Sequence, residues 1–143
     1  MAISCGLAAG LRADIAPGAV LIPGAVSWLG SPHIACDLEV LARLRDSAHR
    51  LGFEVVTDAL ITVDRLVRGP HRGHWADQGF AGADMETARL MGGGRRVAAV
   101  RVVLDTPVRE LAIGNGFWLA RWGPVYARRA AAVVSGSGLV DRG

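Results

Sequence analysis

The run from Val97 to Leu104 limits this chain more than any other stretch of it. It is almost unbroken valine, alanine and leucine, interrupted only by Arg101. A strand without polar alternation is covered on both faces, so helices must pack on either side of the sheet that holds it. Asp105 follows at once. Ligands of open α/β sheets gather at the carboxyl ends of strands, so a carboxylate there is a candidate acid or base. Pattern alone leaves a second reading equally open, in which Asp105 caps a following helix that begins with Thr106 and Pro107.

The rest of the chain alternates in the same way. Ala2 to Cys5 reads as a short strand, and Gly6 to Leu11 as a small-residue turn. Ala19 to Ile22 is a second strand, bounded by Pro17-Gly18 and Pro23-Gly24. Asp37 is placed to cap a helix running to about Leu51, with Leu38, Leu41, Leu44, Ala48 and Leu51 on one face and Gly52 beyond its end. Phe53 to Val63 is rich in β-branched residues and reads as one strand or two. Arg68 to Phe80 reads as a polar loop. Asp84 to Met91 reads as a short helix ended by a flexible turn at Gly92-Gly93-Gly94. Phe117 to Val134 is a last helix, kinked or split at Pro124, with Trp118, Trp122 and Tyr126 in its core-facing stripe. Alternating strands and helices predict a layered α/β fold around a mostly parallel or mixed sheet, in one domain over 1–143.

Composition removes several classes of function. The chain has 143 residues, half of them hydrophobic and a fifth charged, which suits a packed domain and excludes disorder. Its net charge of +3 comes wholly from arginine, scattered along the chain without a basic stripe, so nucleic acid is not an expected partner. No apolar run approaches the ~20 residues that cross a bilayer. No basic segment precedes the first apolar stretch, so the cytoplasm is the expected compartment. Cys5 and Cys36 make no disulfide framework and read as two buried thiols. His71, His74 and Asp77 have metal-like spacing but lack a firm ligand set, so no metal and no cofactor is expected.

Asp84-Met85-Glu86 is richer in acid than a helix cap needs. Gly82-Ala83-Asp84-Met85-Glu86-Thr87-Ala88 resembles a segment of the purine nucleoside phosphorylase and methylthioadenosine/S-adenosylhomocysteine nucleosidase superfamily. Val100-Arg101-Val102-Val103-Leu104-Asp105 resembles that superfamily's strand ending in an acid. Ser4 to Leu11 is similar to its small-residue turn, Pro17 to Ile22 to the strand that follows, and Leu60 to Val67 to the strand lining its base pocket. The four resemblances occur in the family's order, and the hopanoid-associated phosphorylase-like branch looks nearest.

The resemblance implies cleavage of the N-glycosidic bond of a purine nucleoside, an adenosyl-hopane among the candidates, with water or phosphate as acceptor. Asp105 matches the acid beside the purine N7, since charge builds on the base as it leaves an oxocarbenium-like sugar. Glu86 matches the acceptor of the ribose hydroxyls, and Met85 the residue under the sugar. Leu66 and Val67 match the segment against the base. Ala8 and Ala9 match the turn near the scissile bond. The family also assembles as dimers or larger homo-oligomers. Its opening strand and glycine-rich turn have no counterpart here, so the resemblance implies an α/β, three-layer phosphorylase-like fold with a central mixed sheet, N-terminally truncated. A non-catalytic remnant or interaction module with weak nucleoside binding is the alternative. Leu104 stands where the family has a serine.

Overall fold

A computed structural model describes residues 1–91, 95–110 and 116–140. Eight strands form one mixed sheet: β1 (Ala2–Gly10), β2 (Val20–Leu21), β3 (Ala25–Trp28), β4 (Ile34–Ala35), β5 (Val55–Val56), β6 (Ala59–Thr62), β7 (Phe80–Asp84) and β8 (Val97–Asp105). Their spatial order is β4-β3-β6-β7-β1-β8-β2-β5. The pairs β1–β8, β2–β5, β3–β6 and β6–β7 are parallel, whereas β1–β7, β2–β8 and β3–β4 are antiparallel. The expected central mixed sheet is therefore present, and β8 is buried along its whole length.

Four helices complete the described fold: α1 (Leu38–Arg50), α2 (Pro70–Ala76), α3 (Thr87–Leu90) and α4 (Gly116–Gly136). The main core joins Val40, Leu41, Leu44 and Ala48 of α1 to Tyr126, Ala130 and Val133 of α4 and to the strands beneath them. A smaller cluster, Leu11, Ile61, Val63, Val67, Phe80 and Ala83, packs with Trp75 and Ala76 of α2. Pro124 lies inside α4, which nevertheless runs on as one helix. Along it Trp118 and Trp122 are half-buried and Tyr126 is buried, with ring centroids 5.4 and 5.8 Å apart.

Three boundaries differ from expectation. The first strand does not stop at Cys5 but runs through the predicted turn to Gly10, paired with β8 from Ala2 to Ala9. The polar stretch after Arg68 contains α2, opened by Pro70 at its first turn, where a missing N–H costs nothing. Phe80 to Asp84 is a strand, so the predicted helix begins only at Thr87. No β-branched residue marks β7, because it is wedged between β6 and β1: a Cβ on Gly82 would meet Leu21 Cδ2 at 2.6 Å. Cys36 is buried, but Cys5 is exposed in the middle of β1, so only one of the two thiols is buried as expected. Burial pushes the Cys36 thiol up to about 11. The glycine run at 92–94 lies outside the described residues.

The start of α1 is as expected. Asp37 accepts from the Val40 N–H at 3.0 Å, Glu39 sits in the first turn, and Gly52 takes φ +74° just past the end. Arg96 binds the same carboxylate at 2.7 Å, which with the Val40 N–H holds Asp37 far below the usual carboxylate range. Stability tied to a lowered carboxylate is fully present above its unfolded value of about 4 and is lost as pH falls through the folded value. Asp37→Asn keeps the cap and removes the charge. The wild type should therefore unfold at a higher temperature than this variant at pH 7, with the gap narrowing progressively below about pH 4. A gap of unchanged size across that acid range would exclude the Arg96 pair as its source.

Candidate active site

The carboxyl end of β8 and the end of β7 meet beside the last residues of β1, and a cavity of about 360 Å³ opens there. Every residue that the family resemblance assigned to the site lines it: Ala8 and Ala9 from β1, Leu66 and Val67 after β6, Met85 and Glu86 after β7, and Asp105 at the tip of β8. Ala8 and Ala9 belong to a strand rather than a turn, and the register with β8 slips between them. That irregularity sets Ala9 opposite Asp105. Leu104 also lines the space.

Two buried ion pairs frame the cavity, and the sequence reading named neither arginine as a site residue. Arg72, from α2, is almost wholly buried. Its Nη2 donates to Asp105 Oδ2, its Nη1 to the Gly10 carbonyl at 2.6 Å and its Nε to Glu110 Oε1 at 2.8 Å. The Gly69 N–H donates to the same Glu110 oxygen at 2.7 Å, and with Arg72 it holds that carboxyl below its ordinary range. The reading of Asp105 as a helix cap is not met: Thr106 to Arg109 form a turn closed by a bridge, and the carboxylate faces a guanidinium instead.

Arg101 anchors the second pair. It rises from the middle of β8, and its Nη2 lies 2.8 Å from Asp84 Oδ2, 2.6 Å from Ser4 Oγ and 2.6 Å from Thr87 Oγ1. Asp84 also accepts from Thr62 Oγ1 at 2.7 Å, from Thr87 Oγ1, and from the Thr87 N–H at 3.2 Å. This carboxylate therefore fixes the entry into α3, as a capping acid would, and neutralises Arg101 at the same time. Glu86 is different. Its side chain is 74% exposed, comes only within 4.0 Å of Arg101 Nη2, and lines the cavity.

Space for Arg101 comes from β1. Gly6 is its direct partner in the parallel register, and a Cβ on Gly6 would fall 2.2 Å from Arg101 Nη1. The glycine is thus a consequence of the arginine. Cys5 and Gly6 both line the cavity. Partial burial pushes the Cys5 thiol up, and Arg101 offsets this only in part.

His71 and His74 lie on α2 and line a neighbouring cavity. His74 Nε2 is 3.0 Å from Gln78 Nε2. Among the described residues no cluster of three or more His, Cys, Asp or Glu side chains is placed to hold a metal. No helix among them is long and apolar enough to cross a membrane.

No protein-family model matches the chain, and no curated protein matches it. Solved structures do. The S-adenosylhomocysteine nucleosidase of Streptococcus pyogenes, in complex with 5-methylthiotubericidin, superposes with a TM-score of 0.76 at 16% identity over 94% of this chain and 65% of its own. A Helicobacter pylori MTAN mutant with 5′-methylthioadenosine in the active site gives 0.74 at 13% identity, covering 94% and 66%. The fold is the one these nucleosidases share. Futalosine hydrolase of Helicobacter pylori is similar to the same extent, with a TM-score of 0.74 at 14% identity over 94% of this chain and 66% of its own. The chain thus spans about two thirds of the length of these neighbours.

Proposed function

We propose that this chain binds a purine nucleoside in the cavity between β1, β7 and β8 and cleaves its N-glycosidic bond. The observation that carries the proposal is the convergence on one cavity of Asp105 with the Met85-Glu86 pair, from the ends of two strands that β1 separates in the sheet. The nucleosidase fold of the structural neighbours supports it. In this reading Glu86 accepts hydrogen bonds from the ribose hydroxyls, for which its exposed carboxylate is suited. Met85 packs under the sugar. Leu66 and Val67 lie against the base, and Ala8 and Ala9 bring β1 close to the bond that breaks. Asp105 stands as the acid beside the purine N7, and the electron pair of the C–N bond leaves with the base. Arg101 holds Asp84 and faces Glu86, which sets the ribose side of the cavity. The acceptor is water or phosphate, and an adenosyl-hopane is one candidate substrate. The work is that of a cytoplasmic enzyme acting as one domain or as a homo-oligomer.

The Arg72–Asp105 ion pair favours a second reading, in which the chain binds nucleoside without turnover. Incubation with adenosine, 5′-methylthioadenosine and an adenosyl-hopane separates the two. Adenine release, followed by chromatography, supports cleavage, and its dependence on phosphate separates phosphorolysis from hydrolysis. Binding without release leaves the second reading. Glu86→Gln should weaken nucleoside binding roughly 10-fold through the lost charge-assisted bonds while sparing free adenine. Equal loss for both ligands would remove Glu86 from the ribose.

A further inference from the structure

A second cavity, of about 300 Å³, adjoins the first. Val63, Leu66 and Val67 belong to both linings, so the segment 63–67 is a partition between two spaces. Met85, Glu86 and Asp105 line only the first. Beyond the partition stand Leu29 and Trp75, with Arg65, His71 and His74, all exposed, around them.

The lining points to a ligand there. Leu29 and Gly30, with φ +46° and +79°, form a tight turn closed by the Ser31 N–H on the Trp28 carbonyl at 2.8 Å. The turn holds the Leu29 side chain 43% exposed at the mouth of this cavity. The Leu29 N–H donates to the Thr62 carbonyl at 3.0 Å, which ties the loop to β6 and points to a fixed placement. Leu66, on the partition, is also exposed, at 52%. Between them the Trp75 indole is braced edge-on by Phe80 at 6.0 Å and by His74 at 4.9 Å. Two exposed leucines and a held indole thus line one space, an arrangement suited to a flat apolar group.

We propose that this second cavity is a subsite for an aryl or similar flat apolar substituent carried on the base of the nucleoside. The inference rests on the purine reading of the first cavity. In that reading the shared residues, Leu66 and Val67, lie on the base side, whereas the sugar-side residues Met85 and Glu86 do not reach the second space. A substituent on the base edge passes the partition at Leu66, and one on the sugar does not. The Asp64–Arg65 pair, 3.5 Å apart and exposed, remains with solvent.

The test compares adenosine with N6-benzyladenosine and 2-(benzylamino)adenosine by titration calorimetry, on the wild type, Trp75→Ala and Leu29→Gly. At least one benzylated nucleoside should bind roughly 10-fold or more tightly than adenosine, the gain expected from burying one phenyl ring. In both variants that ratio should fall toward one while the affinity for adenosine itself changes by no more than about two-fold, a difference near the noise of such free energies. Leu29→Gly relieves the backbone, so its melting temperature should not fall, and it keeps the test valid if Trp75→Ala folds poorly. Adenosine binding with no gain for either benzylated compound would overturn the subsite, as would a gain that survives in Leu29→Gly. Failure of adenosine and both benzylated compounds to bind would overturn the purine reading and the subsite together.

Discussion

Replacing Arg72 with methionine should lower the unfolding free energy by about 3–5 kcal/mol, the range for breaking a buried ion pair from one side. Methionine fills much of the volume and meets none of the three partners. The carboxylate of Asp105, 7% exposed, loses the guanidinium it faces, and the Gly10 carbonyl and Glu110 lose their donors as well. Arg72→Lys should recover only part of the loss, because one ammonium cannot serve three acceptors arranged around a planar fork. Urea unfolding checks this through the midpoint, with the slope unchanged if the native state keeps its surface. A loss below about 1 kcal/mol, the worth of an exposed pair, would mean that the pair is solvated.

If the proposed cleavage holds, Asp105→Asn is expected to slow adenine release by about 10²- to 10⁴-fold, the usual contribution of a positioned proton donor or acceptor. Asparagine retains a carbonyl oxygen for Arg72, and Glu110 still balances the guanidinium, so the folded protein should survive the change. The loss should fall on kcat, with KM nearly constant, because the missing interaction develops only as charge reaches the departing base. An unchanged kcat would take Asp105 out of the mechanism. A rise in KM alone would recast it as a binding residue. The comparison with Arg72→Met is informative: one variant removes the acid and keeps its support, and the other removes the support and keeps the acid.

Much of this fold could be read from local pattern. The apolar run broken only by Arg101 placed β8, and the capping acid, the helical stripe and Gly52 placed α1. These signals are local because one face, one cap or one turn produces each of them. β7 escaped notice because its sequence, Phe-Ala-Gly-Ala-Asp, is shaped by crowding from Leu21, Leu60 and Ala9, which are distant in the chain. α2 was legible only in Pro70, and its buried arginine carries no local sign at all. Arg72 meets Asp105 and Glu110 across 33 and 38 positions, a juxtaposition created by topology alone. Arg101 did leave a trace. A lone charge inside a strand covered on both faces must find a partner, and Asp84, at the tip of a strand beyond β1, supplies it. The cavity residues followed from motif order and their convergence from the sheet, whereas the two ion pairs beside them required the fold.

Gly6 and Arg101 bear on how sequences of this kind can diverge. The guanidinium stands where a side chain on Gly6 would begin, so the two positions share a single volume. A methyl group at position 6 requires the Arg101 guanidinium to move, which disturbs its contacts with Ser4, Thr87 and Asp84, so the two positions are expected to change together. A paired change across this one rung of the β1–β8 ladder would mark lineages that have given up the arginine, even where overall similarity has faded to the level seen with the nucleosidases.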